Sequence, residues 1–170
     1  MKVDSENVPK KAMKFFENQS LQLILPEEYK PGNFEKFFVI KHKNGDETYV
    51  AEQVKTYHNE DTERLSYFWD SRNSKTIGHG ELRWSLSKKS KFFKNKPFVG
   101  FTETEKEFQR QGLAERRLHM LDAFARMTYG FPLYSSDVVT PRAINLWEKL
   151  VREGRAKKFK SGEPDRYCFL

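Results

Sequence analysis

The sequence predicts a single α+β domain: a mostly antiparallel sheet, then a unit in which helices and strands alternate. Three observations carry that reading. Short runs rich in β-branched and aromatic residues, bounded by turn signals, fill residues 34–104. Two stretches of helical periodicity follow, each closed by a glycine. No internal repeat and no Gly/Ser- or Pro-rich linker divides the 170 residues, a length suited to one core.

Residues 1–33 read as a basic, partly helical N-terminal extension, with a short helix at Lys11–Asn18 around Ala12, Phe15 and Phe16. Pro26, Pro31 and Gly32 end that pattern. Strands are predicted at Phe34–Lys41 and Glu47–Thr56, on either side of Asn44-Gly45, a hairpin signal because both residues tolerate positive φ. Arg64–Trp69 follows a polar turn at Asn59-Glu60-Asp61. Ile77–Leu86 and Pro97–Thr104 complete the antiparallel part, separated by a lysine-rich segment. From residue 105 to 170 the predicted order is αβαββ. Leu113–Met127 places Ala114, Leu118, Leu121 and Ala125 at helical spacing, with Arg116, Arg117 and Asp122 elsewhere on the wheel and Gly130 as the stop. Phe131–Ser136 is a short strand, and Thr140-Pro141 reads as an N-cap followed by proline at the first helical position. That helix carries Ala143, Trp147, Leu150 and Val151 on one face and closes at Gly154. Arg155–Lys160 and Arg166–Leu170 are the final strands, around Gly162-Glu163-Pro164-Asp165.

Composition narrows the class of function. With one cysteine, Cys168, no intramolecular disulfide forms, which fits a reducing compartment. Cys168 and four scattered histidines exclude zinc-ribbon and finger architectures, and no metal is implied. No apolar run approaches a membrane span, and Met1–Lys14 lacks the apolar region of a secretory signal, so a soluble cytoplasmic protein is expected. Aromatics make up 15% of the chain, enough large rings to argue against disorder. A net charge of +7 and a pI near 9.4 suit a negatively charged partner (nucleic acid, acidic protein or phosphorylated cofactor), or serve solubility alone.

The stretch that carries chemistry is Phe98-Val99-Gly100-Phe101-Thr102-Glu103-Thr104, a four-residue connection, then Gln109-Arg110-Gln111-Gly112-Leu113-Ala114. It reads as a strand running into a helix N-terminus thinned by Gly112 and Ala114. First-turn amides lack intrahelical partners and sit at the positive end of the helix dipole, so a diphosphate can approach them, with Arg110 as a nearby cation. Gln109-x-x-Gly112-x-Ala114 resembles the Q/R-x-x-G-x-G/A pyrophosphate loop of the GCN5-related N-acetyltransferase (GNAT) family. The segment from Thr140 to Leu150 is similar to that family's N-x-x-A-x-x-L-Y-E-K-L helix, and the two motifs stand in the family's order. The resemblance covers roughly Ile77 to Leu170.

The resemblance implies a mixed, mostly antiparallel sheet with a V-shaped splay between two central parallel strands, flanked by helices. It implies acetyl-CoA or another short acyl-CoA as donor, and a primary amine as acceptor. The pyrophosphate would lie on the amides of Gln111, Gly112, Leu113 and Ala114, and the pantetheine arm would pair with the backbone of Thr102, Glu103 and Thr104. A main-chain amide at this strand end would donate to the thioester oxygen. Because an ammonium near pKa 10.4 is neutral only about once in ~10³ molecules at pH 7, attack needs a base. Glu103 is the first candidate, with Glu105 in reserve and His79 a third if its strand neighbours Thr102. An exposed glutamate paired with a lysine, and a structural histidine, are the plainer readings of the same residues. The family's proton-donating tyrosine falls on Trp147, whose indole N–H is too weak an acid. Tyr134, Ser135 and Ser136 are substitutes, Tyr134 first because a phenol is the most acidic. Thr140 stands where the family has asparagine, able to cap the helix and to reach the cofactor.

The N-terminal half departs from the family, which places two helices between its first strands where this sequence has Asn44-Gly45. Two other readings stay open. A non-catalytic nucleic-acid-binding module would use Lys88, Lys89, Lys91, Lys94 and Lys96 with Phe92 and Phe93, and Lys157, Lys158 and Lys160. A GNAT-like protein that binds CoA without catalysis would account for Trp147. The amine acceptor is a small molecule, a protein or aminoacyl-tRNA.

Overall fold

The computed structural model describes residues 3–4, 36–56, 62–86, 96–136, 140–159 and 166–170. The helix expected at Lys11–Asn18, the turns at 59–61 and 162–165 and most of the lysine-rich segment lie outside them. The strands are β1 (Val3–Asp4), β2 (Lys36–Lys41), β3 (Glu47–Thr56), β4 (Thr62–Arg72), β5 (Lys75–Ser85), β6 (Phe98–Thr104), β7 (Ala156–Phe159) and β8 (Arg166–Phe169), and the helices are α1 (Leu113–Tyr129) and α2 (Pro141–Arg152). Strands β1 to β6 form one antiparallel sheet in chain order, and β7 pairs with β8. Among the described residues, no helix is long and apolar enough to cross a membrane.

Two hairpins shape the sheet. At Asn44-Gly45 the glycine takes φ +92, and the Asn44 side chain accepts from the Asp46 amide at 3.0 Å. Between β4 and β5 the turn is Asn73-Ser74, with both residues at positive φ. The strand pairing of Val3–Asp4 with Val39 and Ile40 was not expected from the sequence, which reads there as a ragged basic terminus.

Alternation along the strands divides the sheet into two faces. One carries Ile40, Val50, Phe68, Leu82 and Val99, which pack against Leu118, Leu121, Phe124 and Ala125 of α1. Phe68 and Phe124 meet edge to face at 5.4 Å. Arg117 belongs to this buried stripe rather than to the polar side of the wheel, because an acceptor waits for it inside: Asp70 on β4. The other face buries Tyr49, Leu65, Tyr67 and Trp69.

The ends of the helices follow from local chemistry. Thr140 caps α2 by accepting from the Ala143 amide at 3.3 Å, with Pro141 next. At its other end Gly154 at φ +72 allows paired bonds from Gly154 N–H to Val151 C=O and from Arg155 N–H to Leu150 C=O. The strand expected at Phe131–Ser136 is reduced to a bridge at Tyr134, parallel to Phe98 on one side and antiparallel to Cys168 on the other. It links β6 to β8.

Candidate functional site

Strand β6 is paired with β5 along one edge, and along the other only at its start. Its outer edge bonds to the Tyr134 segment near Phe98, through Val99 N–H to Tyr134 C=O (3.0 Å) and Tyr134 N–H to Pro97 C=O (2.8 Å). Beyond that point the edge faces a cavity of about 770 Å³ walled by β6, the start of α1 and α2. The bond from Glu105 N–H to Ile77 C=O sets the antiparallel alternation. Phe101 and Glu103 therefore turn their peptide groups toward β5, and Thr102 and Thr104 turn theirs toward the cavity. Gln109 Nε2 donates to the Thr104 carbonyl at 3.1 Å, while its Oε1 accepts from Arg142 at 3.1 Å. This amide braces the end of β6 against α2.

Gly100 marks a bulge, since the register passes from Glu81–Phe101 to Leu82–Val99. The Glu81 carboxylate fills the space that a Cβ at residue 100 would need. Glu81 is buried and paired with Arg83, and burial pushes its carboxyl pKa up.

The helix start has the property the sequence suggested, for a different local reason. Arg110 and Gly112 both take left-handed φ, +64 and +74, and turn the chain into α1. A Cβ on Gly112 would meet nothing, so backbone conformation rather than crowding selects glycine there. The first ladder bond runs from Arg116 N–H to Gly112 C=O, and no side chain caps the helix. The amides of Leu113, Ala114 and Glu115 are thus left without intrahelical partners beside the cavity that these residues line. Thr140, Arg142 and Ala143 bring the N-terminus of α2 to the same cavity. Two helix starts and the cations of Arg110 and Arg142 make this end suited to an anion. Gln111 is exposed outside the lining and accepts from Arg72 at 3.1 Å. Arg72 and Arg116 both bind the buried Asp46, holding its carboxyl far below the usual carboxylate range.

The candidate catalytic groups are distributed unevenly. Glu103 lines the cavity with its side chain 68% exposed, directly opposite His79 on β5. Their Oε2 and Nε2 lie 3.5 Å apart. His79 is buried against the edge of Phe101, and that burial lowers its pKa. Glu105 is outside the cavity, where it precedes the 3₁₀ turn at Lys106–Phe108. Tyr134 is also outside, its ring set edge to face on Phe159 at 5.9 Å and its phenol pKa raised by burial. Ser135 is buried and accepts from the Tyr167 amide at 2.9 Å. Of the three substitutes, Ser136 lines the cavity. Trp147 forms part of the wall while stacking on Tyr167 at 5.8 Å.

A buried polar network that the sequence does not announce lies behind the cavity. Arg117 pairs with Asp70 at 2.7 Å, both wholly enclosed, and its Nη1 donates to Thr102 Oγ1 at 2.8 Å and Thr104 Oγ1 at 3.3 Å. Thr48 donates to the other Asp70 oxygen at 2.6 Å. Because the Thr48 proton is committed there, the 2.7 Å contact with His42 is a donation from His42 Nε2. Gly78 and Gly80 make room for the guanidinium: a Cβ on the first would collide with Arg117 Nη2, and one on the second would lie 2.8 Å from Cδ. The signal in the sequence was Gly78-x-Gly80, two absent side chains on one strand face.

No family model matches the chain, and no curated protein does. Among solved structures, a chain titled "Putative GnaT-family acetyltransferase from Bordetella pertussis" is similar with a TM-score of 0.40 and 15% identity, over 62% of this chain and 63% of that one. The chain therefore spans less than two thirds of that protein's length.

Proposed function

We propose that the protein is an N-acyltransferase of the GNAT kind, moving an acyl group, acetyl in the first instance, from acyl-CoA to a primary amine. One observation carries the proposal: a half-paired strand edge and an uncapped helix start open into the same cavity. An extended donor with a diphosphate at one end and an amide-bearing arm at the other matches both features. The amides of Leu113, Ala114 and Glu115, with Arg110, take the diphosphate. The outward peptide groups of Thr102 and Thr104 take the arm as an added strand. In this reading the single parallel bridge at Phe98 and Tyr134 is the apex of a V, and the cavity is its opening.

Glu103 stands where an amine would approach the thioester. Its carboxylate attracts the ammonium, and with neutral His79 beside it the pair receives the proton that attack releases. Stabilisation of the departing thiolate falls to the Ser136 hydroxyl, the one substitute at the cavity wall. Tyr134→Phe, outside the wall, should leave turnover close to wild type.

Two measurements test the proposal. Acetyl-CoA at a hundred times its dissociation constant should stabilise the fold by about 2.7 kcal/mol in thermal melts. No stabilisation at millimolar acetyl-CoA would sink the reading. In a thiol-release assay over a panel of amines, Glu103→Gln should reduce kcat/KM by roughly 10²–10⁴. Binding without release for any amine would leave a CoA-binding protein that lacks catalysis.

A further inference from the structure

Arg117 is wholly buried, yet it reaches the wall of the cavity through two hydroxyls. A guanidinium has donors and no acceptor, so Thr102 Oγ1 and Thr104 Oγ1 are both fixed as acceptors toward it. Each hydroxyl then has one proton left to place. No described residue accepts either proton, and both threonines line the cavity. Residues two apart on a strand also share a face, so the two hydroxyls stand side by side along β6, 2.8 and 3.3 Å from the one Nη1 atom.

We infer that Arg117 and Asp70 are positioning residues that turn the Thr102 and Thr104 hydroxyls into fixed donors for carbonyl oxygens of the donor's amide-bearing arm. The inference rests on the acyl-CoA reading and deepens it by assigning how the arm is recognised. Thr102 brings both its outward main-chain N–H and its hydroxyl to the cavity wall. A buried ion pair is a poor source of stability compared with apolar side chains of the same volume. The Gly78 and Gly80 lane, the enclosed Asp70 and the two threonines together fit a part that sets direction.

The test uses two probes in isothermal titration: acetyl-CoA, and adenosine 3′-phosphate 5′-diphosphate, which keeps the diphosphate and lacks the arm. Thr102→Val should weaken acetyl-CoA binding about tenfold, the loss of a charge-supported hydrogen bond, and leave the armless nucleotide unchanged. Thr102→Ser should restore acetyl-CoA binding to within about threefold of wild type. Gly78→Ala, which displaces the guanidinium while keeping every donor, should repeat the arm-selective loss. A folded Thr102→Val protein with wild-type affinity for acetyl-CoA overturns the inference, as does an equal loss for both probes. If the wild-type protein binds neither probe, the acyl-CoA reading itself has failed and the inference falls with it.

Discussion

His79 and Glu103 face each other across β5 and β6 in unlike surroundings, one buried and one mostly in water. Burial is the largest influence on His79, outweighing the pull of Glu103, so the ring stays neutral to lower pH than a free histidine. Between that lowered pKa and 6.5 the unfolded chain binds the extra proton, so stability rises with pH through this window and is lost as pH falls through it. His42 and His119 are lowered as well, again first by burial. Melting temperature should therefore drop between pH 7 and pH 5, and the drop should shrink in His79→Gln. If the proton of the amine passes to this pair, the acid limb of kcat/KM should lie below 6.5 and move in His79→Gln. A His79→Gln profile superimposable on wild type would assign the acid limb elsewhere.

At the scale of elements, the sharpest expectations concern backbone. Gly80 lies under the Arg117 stem, where an added methyl would be 2.8 Å from Cδ and 3.3 Å from the Phe101 carbonyl. Gly80→Ala should cost roughly 1–3 kcal/mol in urea unfolding, the usual penalty of overpacking. Ser74 occupies left-handed φ in the β4–β5 turn at some steric cost, so Ser74→Gly, creating Asn-Gly, should stabilise by about 0.5–1 kcal/mol. Thr140→Ala, which removes the α2 cap, should destabilise by about 1 kcal/mol. These elements also show how far the sequence can be read. Glu47–Thr56 and the start of α1 at Leu113 are legible to the residue, because an Asn-Gly turn beside a strand and a glycine at a helix start are local signals. Asn73-Ser74 carries no turn signal in the sequence, since its positive φ is imposed by the strands it joins rather than by a glycine. Phe131–Ser136 looked like a strand by composition, but its pairing shrinks to a bridge around Tyr134. On sequence alone Arg117 falls away from the apolar stripe of the wheel, because its acceptor, Asp70, is 47 residues away and leaves no mark on the helix sequence.

For the whole molecule, net charge and site point to different partners, and experiment can separate them. A formal charge of +7 attracts any polyanion, whereas the cavity end offers donors at fixed positions. Acetyl-CoA should raise the melting temperature at 150 mM salt, while a single-stranded oligonucleotide at equal phosphate concentration should not. An oligonucleotide affinity that falls steeply with salt, without any acetyl-CoA effect, would favour a nucleic-acid module. The enclosed Arg117–Asp70 pair bears on assembly as well as on recognition. Were α1 to settle on the sheet one turn too far along, the apolar stripe would still find apolar partners, but the guanidinium would be parted from Asp70. Stranding a charge in that way costs about 3–5 kcal/mol, so the misplaced helix is rejected during folding and the cavity is built with its walls already aligned.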